Sequence, residues 1–378
     1  MKRALVAGLL WCALAAAQSF FNPRGLGEAL SPPDAGQQAQ GGHAALTGLN
    51  PGAVVKLDRT TLRFGGVVSG ALGTQDGNTR GIIGARPTGL SGAVPVTAGF
   101  RVLFGVEERF NQDFDVWSDS LGDTLYRRHV TGRGGIYSLH AGVAKSFWKT
   151  VAVGIEYNYL IGGSREHWLY EVTNGYTSTD TVETDYRAGT VRAGLGLELG
   201  PVSAGAYFEP GIELTARRFK KVHGVVGDSD RTYRLALPLS GGAAVKVRPI
   251  ERLGLSLGAA LRPWSGATIT DSDSTHGLGF RDALRLSAGV EFSIAPEHPV
   301  RLGYSNSTWY YAAGNGAAVT EHGVSAGTGF AIPKFGSIDV AAEVLFRDTP
   351  SLEETAGRLG FTLAYGEVWA RRTRRWGY

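Results

Sequence analysis

The chain has 378 residues and nearly balanced charge, with 38 Lys and Arg against 34 Asp and Glu, a formal net charge of +4. That balance excludes the broad cationic footprint expected of a protein with a nucleic-acid partner. Glycine is abundant, 55 residues against 15 prolines, and stands beside 14 Tyr, 16 Phe and 8 Trp, which points to a β protein with close backbone approaches.

Residues 1–17, MKRALVAGLLWCALAAA, place Lys2 and Arg3 ahead of an apolar core from Ala4 to Leu14, followed by Ala15, Ala16 and Ala17. This is the order of a secretory signal peptide with cleavage after Ala17. The apolar core is too short for a membrane anchor. The single cysteine, Cys12, lies inside it, and Trp11 stands where a lipoprotein site wants a small residue. A mature chain without cysteine forms no disulfide, which suits a bacterial envelope protein. Losing Lys2 and Arg3 leaves about +2 of net charge. No later apolar run is long enough for a membrane helix, and the one candidate helix beyond the signal spans residues 37–49.

From about residue 59 onward the chain alternates apolar and polar positions, the strand signal. Examples are Phe100-Val102-Phe104-Val106, Val191-Ala193-Leu195-Leu197-Leu199 and Ile338-Val340-Ala342-Val344-Phe346. Connections alternate in length: short ones fall at 96–99, 147–149, 199–201, 249–252, 295–299 and 333–336. Long polar ones fall at 111–131, 162–186, 217–231, 265–282, 309–320 and 347–356. Short turns at one end and long loops at the other predict an all-β fold, a transmembrane antiparallel β-barrel of about 14 strands.

The two faces of each strand support this. In Thr150–Leu160, TVAVGIEYNYL, the row Val151, Val153, Ile155, Tyr157, Tyr159 is expected to face lipid, and Glu156 and Asn158 the lumen. Opposite the apolar rows stand Arg101, Glu107, Arg192, Glu198, Arg234, Lys246, Arg262, Arg285, Glu291, Arg301, Asp339, Glu343 and Arg347, interleaved with Gly, Ala and Ser. Mixed signs predict ion-pair networks across a crowded lumen. Phe147, Trp148, Trp168, Tyr170, Trp264, Trp309, Tyr310, Tyr311 and Trp369 cluster at strand ends and are assigned to interfacial girdles. The ending Trp376-Gly377-Tyr378 resembles the signal read by the barrel-assembly machinery. Pro238, within a strand, marks an irregular point in the wall.

Catalytic and metal chemistry find little support. Ser138 and His140 share a strand face, but no Asn or Asp is evident to orient the histidine. The eight histidines lack metal-ligand spacing. Asp271-Ser272-Asp273-Ser274 lacks the rest of a calcium loop, and the glycines at 194–200 precede no helix that would hold a phosphate. No enzyme activity, metal or cofactor is expected.

Several short segments resemble the FadL/TodX family of outer-membrane transporters, including its PorV-like barrels. They are AlaGlnGlyGlyHisAlaAlaLeu at 39–46, LeuAsnProGly at 49–52, SerGlyAlaValProVal at 91–96, HisProValArgLeuGlyTyr at 298–304 and LeuAlaTyrGlyGluValTrp at 363–369. Asn50 and Pro51 match the family's plug motif, with Gly52 where Ala is usual, and the stretch from Leu46 to Asn50 is shorter than in typical members. The resemblance implies a plug at residues 18–58 inside a barrel at 59–378, in the bacterial outer membrane. It also implies passive uptake of long-chain fatty acids or other hydrophobic small molecules. Phe20, Phe21, Leu46, Leu49, Leu103 and Tyr207 are then candidate ligand-lining residues. Arg101 and Arg234 are candidate partners for a carboxylate head group. The PorV-like alternative implies a barrel of the same fold that binds secretion-system, secreted or envelope proteins.

Overall fold

The computed structural model describes residues 19, 26–29, 34–46, 50–55, 58–75, 78–97, 99–120, 126–148, 150–172, 177–222, 225–226, 230–271, 274–295, 298–312, 318–332, 335–349 and 352–367. The expected signal peptide, Phe20, Phe21, Leu49, Trp369 and the C-terminal Trp376-Gly377-Tyr378 lie outside them.

Fourteen antiparallel strands pair in chain order and close on themselves. They begin with β1 (Thr60–Gln75), β2 (Asn78–Thr97), β3 (Phe100–Asn111, then Phe114–Ser120), β4 (Tyr126–Phe147), β5 (Val151–Val172), β6 (Thr177–Leu199) and β7 (Val202–Glu209, then Ile212–Val222). They continue with β8 (Arg231–Leu237, then Ser240–Ile250), β9 (Leu253–Arg262, then Thr268–Asp271), β10 (Ala283–Ala295) and β11 (His298–Ala312). The last three are β12 (Ala318–Ile332), β13 (Gly336–Thr349) and β14 (Leu352–Glu367). β1 and β14 close the cylinder in a ladder from Thr60 opposite Glu367 to Thr74 opposite Glu353. Closure removes sheet edges, as a membrane requires.

Near the short turns the wall is inverted relative to a water-soluble sheet. On β5, Val153, Ile155 and Tyr157 are 49%, 52% and 53% exposed on the outside, whereas Ala152, Glu156 and Asn158 are 0%, 2% and 0% exposed on the inside. Four strands are broken partway up. The breaks are Gln112-Asp113 in β3, Pro210-Gly211 in β7, Pro238-Leu239 in β8 and Pro263–Ala267 in β9. Proline cannot donate to the ladder, so three of these breaks are written into the sequence. The β2–β3 ladder ends at the pair Gly89–Glu107, while β3 continues along β4 to Asn111. Its freed edge pairs instead with the two-residue strand Glu28–Ala29, which faces Asn111 and Phe110.

The N-terminal segment occupies the lumen. Its helix α1 is only Ala35–Gln38, capped by the Asp34 carboxylate, which accepts from the Gln37 N–H at 3.2 Å. Gly41 and Gly42, at φ of 85° and 78°, end the helical path, and a single 3-10 turn follows at Ala44–Leu46. The expected helix over 37–49 is therefore replaced by two short turns.

Candidate functional site

The plug motif is seated in a socket of glycines. Asn50 is fully buried; its Nδ2 donates to the carbonyls of Ala45 at 2.7 Å and Leu195 at 2.9 Å, and its Oδ1 accepts from the Gly52 N–H at 2.9 Å. A Cβ on Gly52 would stand 2.6 Å from the Leu195 carbonyl carbon and 2.7 Å from the Gly196 nitrogen. That backbone contact excludes the alanine usual in the resembled motif. The wall answers in kind: a Cβ on Gly154 would meet the Pro51 oxygen at 2.3 Å, and one on Gly194 the Asn50 Oδ1 at 2.0 Å. Across the lumen, Gly289 and Gly303 make the same room for Gln40 and Gly41. His43, buried, is held between Ser287 Oγ at 2.8 Å and Ser256 Oγ at 2.7 Å.

Above the plug lie two buried ion networks. Arg192 joins Glu156 at 2.9 Å and Glu209 at 3.3 Å, and Glu209 also receives Arg109 at 2.8 Å. Arg347, fully buried, joins Glu321 at 2.7 Å together with Glu28 and Glu354. The Ser19 hydroxyl donates to Glu354 at 3.0 Å and accepts from Arg347 at 3.2 Å. Buried charges are tolerable only with such pairing.

Above these networks the lumen turns apolar. Leu26, Phe110, Ile136, Leu160, Tyr186, Ile212, Leu214, Leu235, Leu237, Trp264, Trp309, Tyr310 and Val319 belong to one buried cluster. The strand breaks make this possible by shifting the alternation one residue. Below its break β7 points Tyr207 and Glu209 inward; above it, Ile212, Leu214 and Ala216 are buried while Glu213, Thr215 and Arg217 are exposed. β8 does the same: Lys246 and Ala244 face in below, and Leu235 and Leu237 face in above. A one-residue slip sends every side chain to the other face, so the breaks in β7 and β8 exchange a polar inner row for an apolar one.

Inside this cluster is a cavity of about 130 Å³ bounded by Trp264, Trp309, Tyr310, Tyr207, Arg262, Arg285, Glu28, Glu321 and Arg358, among others. The Pro263 break swings Trp264 inward on a 3-10 turn, Trp264–Gly266. Its indole stacks on Tyr310 with centroids 4.5 Å apart, and Phe280 meets Tyr310 edge-on at 4.9 Å. The Tyr310 hydroxyl donates to the Gly27 carbonyl and accepts from the Leu26 N–H, both at 2.8 Å, tying the aromatic box to the N-terminal segment.

The structure sorts the candidate residues. Tyr207 lines the cavity, and Leu46 packs half-buried beside Tyr207 and Ala45 below it. Leu103 is buried against Ala93, Ala144 and the plug residue Val54, away from the cavity. Arg101 is consumed by the Gly99 carbonyl at 2.8 Å and Ser146 Oγ at 2.6 Å. Arg234 requires a correction: it sits on the outer face, 68% exposed and 3.7 Å from Glu213, because the Pro238-Leu239 break reverses the alternation above it. Trp264, Trp309 and Tyr310 also require one, being buried in the lumen instead of girdling the membrane. Pro263, immediately before Trp264, is the sequence feature at which the strand breaks and the indole leaves the wall. Ser138 donates to Asn158 Oδ1 at 2.8 Å and so is turned away from His140 as a base.

Fold and site together define a closed β-barrel of the outer-membrane type with a plugged lumen. No protein-family model matches the chain, and no curated protein does. Solved structures do share its fold. The Pseudomonas putida toluene transporter TodX superposes with a TM-score of 0.65 at 13% identity, covering 91% of this chain and 99% of its own. A Pseudomonas aeruginosa FadL homologue gives 0.65 at 11%, covering 90% and 99%. The CymD monoaromatic hydrocarbon channel gives 0.62 at 13%, with the same coverage. The fold is therefore that of the FadL/TodX-type channels.

Proposed function

We propose that the protein is a passive channel of the bacterial outer membrane for hydrophobic small molecules. In this reading residues 1–17 are removed on export, residues 18–58 are the plug and residues 59–378 the barrel. The observation that carries it is the apolar cluster enclosed in the lumen above the charged layers, since an outer-membrane lumen is otherwise polar. The neighbours in fold described as a toluene transporter and a monoaromatic hydrocarbon channel support the same class of cargo. The breaks at Pro210-Gly211 and Pro238-Leu239 lie opposite each other and leave the ladder unpaired beside Ile212 and Leu237, which favours a side route into lipid.

The test is uptake of radiolabelled toluene and of a labelled long-chain fatty acid by Gram-negative cells expressing the chain. The expected result is faster uptake of at least one than in cells with empty vector, slowed by Leu214→Arg. Uptake equal to the control, with folded barrel in the outer-membrane fraction and secretion components co-purifying, would overturn the proposal.

A further inference from the structure

Three arginines and two glutamates bound the cavity. Arg285 lies 3.8 Å from Glu321, and Arg358 is paired with Glu28. Arg262 has neither a hydrogen bond nor an ion pair within 4.0 Å among the described residues, because the nearby Glu209 is already held by Arg109 and Arg192. Of the three arginines that bound the cavity, Arg262 is thus the one with no carboxylate at ion-pair distance among the described residues. A second donor is also unspent: Trp264 is 2% exposed and its indole Nε1–H has no acceptor. Arg262 is half-buried and Trp264 buried; leaving the cation and the indole N–H without partners there is unfavourable, and a ligand supplying both partners removes that cost.

Size and shape restrict the ligand further. An apolar protein cavity of about 150 Å³ accommodates benzene, close to the 130 Å³ found here. Trp264, Trp309 and Tyr310 line it with aromatic rings, against which a ligand ring can stack or pack edge-on; Phe280 supports Tyr310 edge-on at 4.9 Å. A long acyl chain is not enclosed by such a space.

We propose that the chamber selects small aromatic carboxylates, the ring packing on Trp264 and Tyr310 and the carboxylate meeting the Arg262 guanidinium. The inference rests on the transport reading and narrows its cargo. Arg262 and Trp264 are two residues apart, and the Pro263 break brings a strand arginine and an inward indole to one cavity. A guanidinium recognises a carboxylate through charge-assisted hydrogen bonds, bidentate where geometry allows, so an uncharged hydrocarbon of the same size forgoes that contact.

The test is calorimetric titration of the full chain in detergent with benzoate, toluene and hexadecanoate, with the barrel's fold checked by its heat-modifiable gel mobility. Benzoate is expected to bind at least tenfold more tightly than toluene. Arg262→Gln should weaken benzoate at least tenfold and change toluene less than twofold, while Arg262→Lys restores part of the benzoate affinity. Toluene binding as tightly as benzoate, or Arg262→Gln weakening both equally, would overturn the inference and leave the transport reading standing. Hexadecanoate binding more tightly than benzoate would overturn it as well. Binding of none of the three by folded protein would overturn both readings.

Discussion

Near the short turns, the barrel shows hydrocarbon to the outside and holds glycines, carboxylates and arginines within. Near the long connections, β7 and β8 show Glu213, Thr215, Arg217 and Arg234 outside and bury Ile212, Leu214, Leu235 and Leu237. β6 makes the same crossing without a break. Its inner row runs Val182, Tyr186, Ala188, Thr190, Arg192, Gly194, Gly196 toward the turn, while its outer row runs Asp185, Arg187, Val191, Ala193, Leu195. One architecture thus serves two solvents. Where lipid surrounds the wall, the apolar face must point out and the plug fills a polar lumen. Where lipid ends, the outer face is free to be charged and the inside can become a hydrophobic chamber. The boundary between the two is built from paired charges, to which the N-terminal segment contributes Glu28.

The largest effect is expected at the charged boundary between the two halves. Replacing Arg347 by Ala leaves Glu28, Glu321 and Glu354 without their shared cation, and breaking a buried ion network in this way costs about 3–5 kcal/mol. Denaturant unfolding in detergent measures it, and a loss below about 1 kcal/mol would mean the layer is hydrated. The next largest effect separates the two outer surfaces. Ile155→Arg places a charge toward lipid and should cost about 2–4 kcal/mol near the midplane, whereas Ala236→Arg, beside Glu213 above the β8 break, should cost about 0–1 kcal/mol. Equal losses in a folding titration into bilayers would erase the distinction between the halves. Gly52→Ala tests the plug socket, where the added methyl meets the β6 backbone at 2.6 Å. Overpacking of this kind costs about 1–3 kcal/mol, readable as a lowered unfolding midpoint; an unchanged midpoint would show that the plug is loosely seated.

Much of the lower half was legible from the chain. The row Val153, Ile155, Tyr157 against Glu156 and Asn158 follows from period two together with the alternating turn lengths. The upper half was less legible. Arg234 was assigned to the lumen together with Lys246; Pro238 lies between them, and the break there reverses the alternation. Trp264, Trp309 and Tyr310 were assigned to a girdle because a strand-end aromatic reads the same whether it faces lipid or the lumen. Arg262 was correctly placed inside among a dozen charged residues, but nothing in its neighbours along the chain distinguishes it from arginines that have partners.

The antiparallel barrel, the inverted wall and the charged, glycine-lined lumen could be read from the chain, because they depend on local alternation and on connection length. Where the lumen changes from polar to apolar, which arginine is left unpaired, and why Gly52 cannot be alanine emerge only from contacts in the folded protein. Those depend on residues far apart in the chain meeting across the lumen: Asn50 on Leu195, Arg109 and Arg192 on Glu209, Glu28 on Arg347 and Arg358. Alternation sets the face of each residue within an unbroken strand; a one-residue slip at a proline resets it, and closure of the cylinder then chooses its partners.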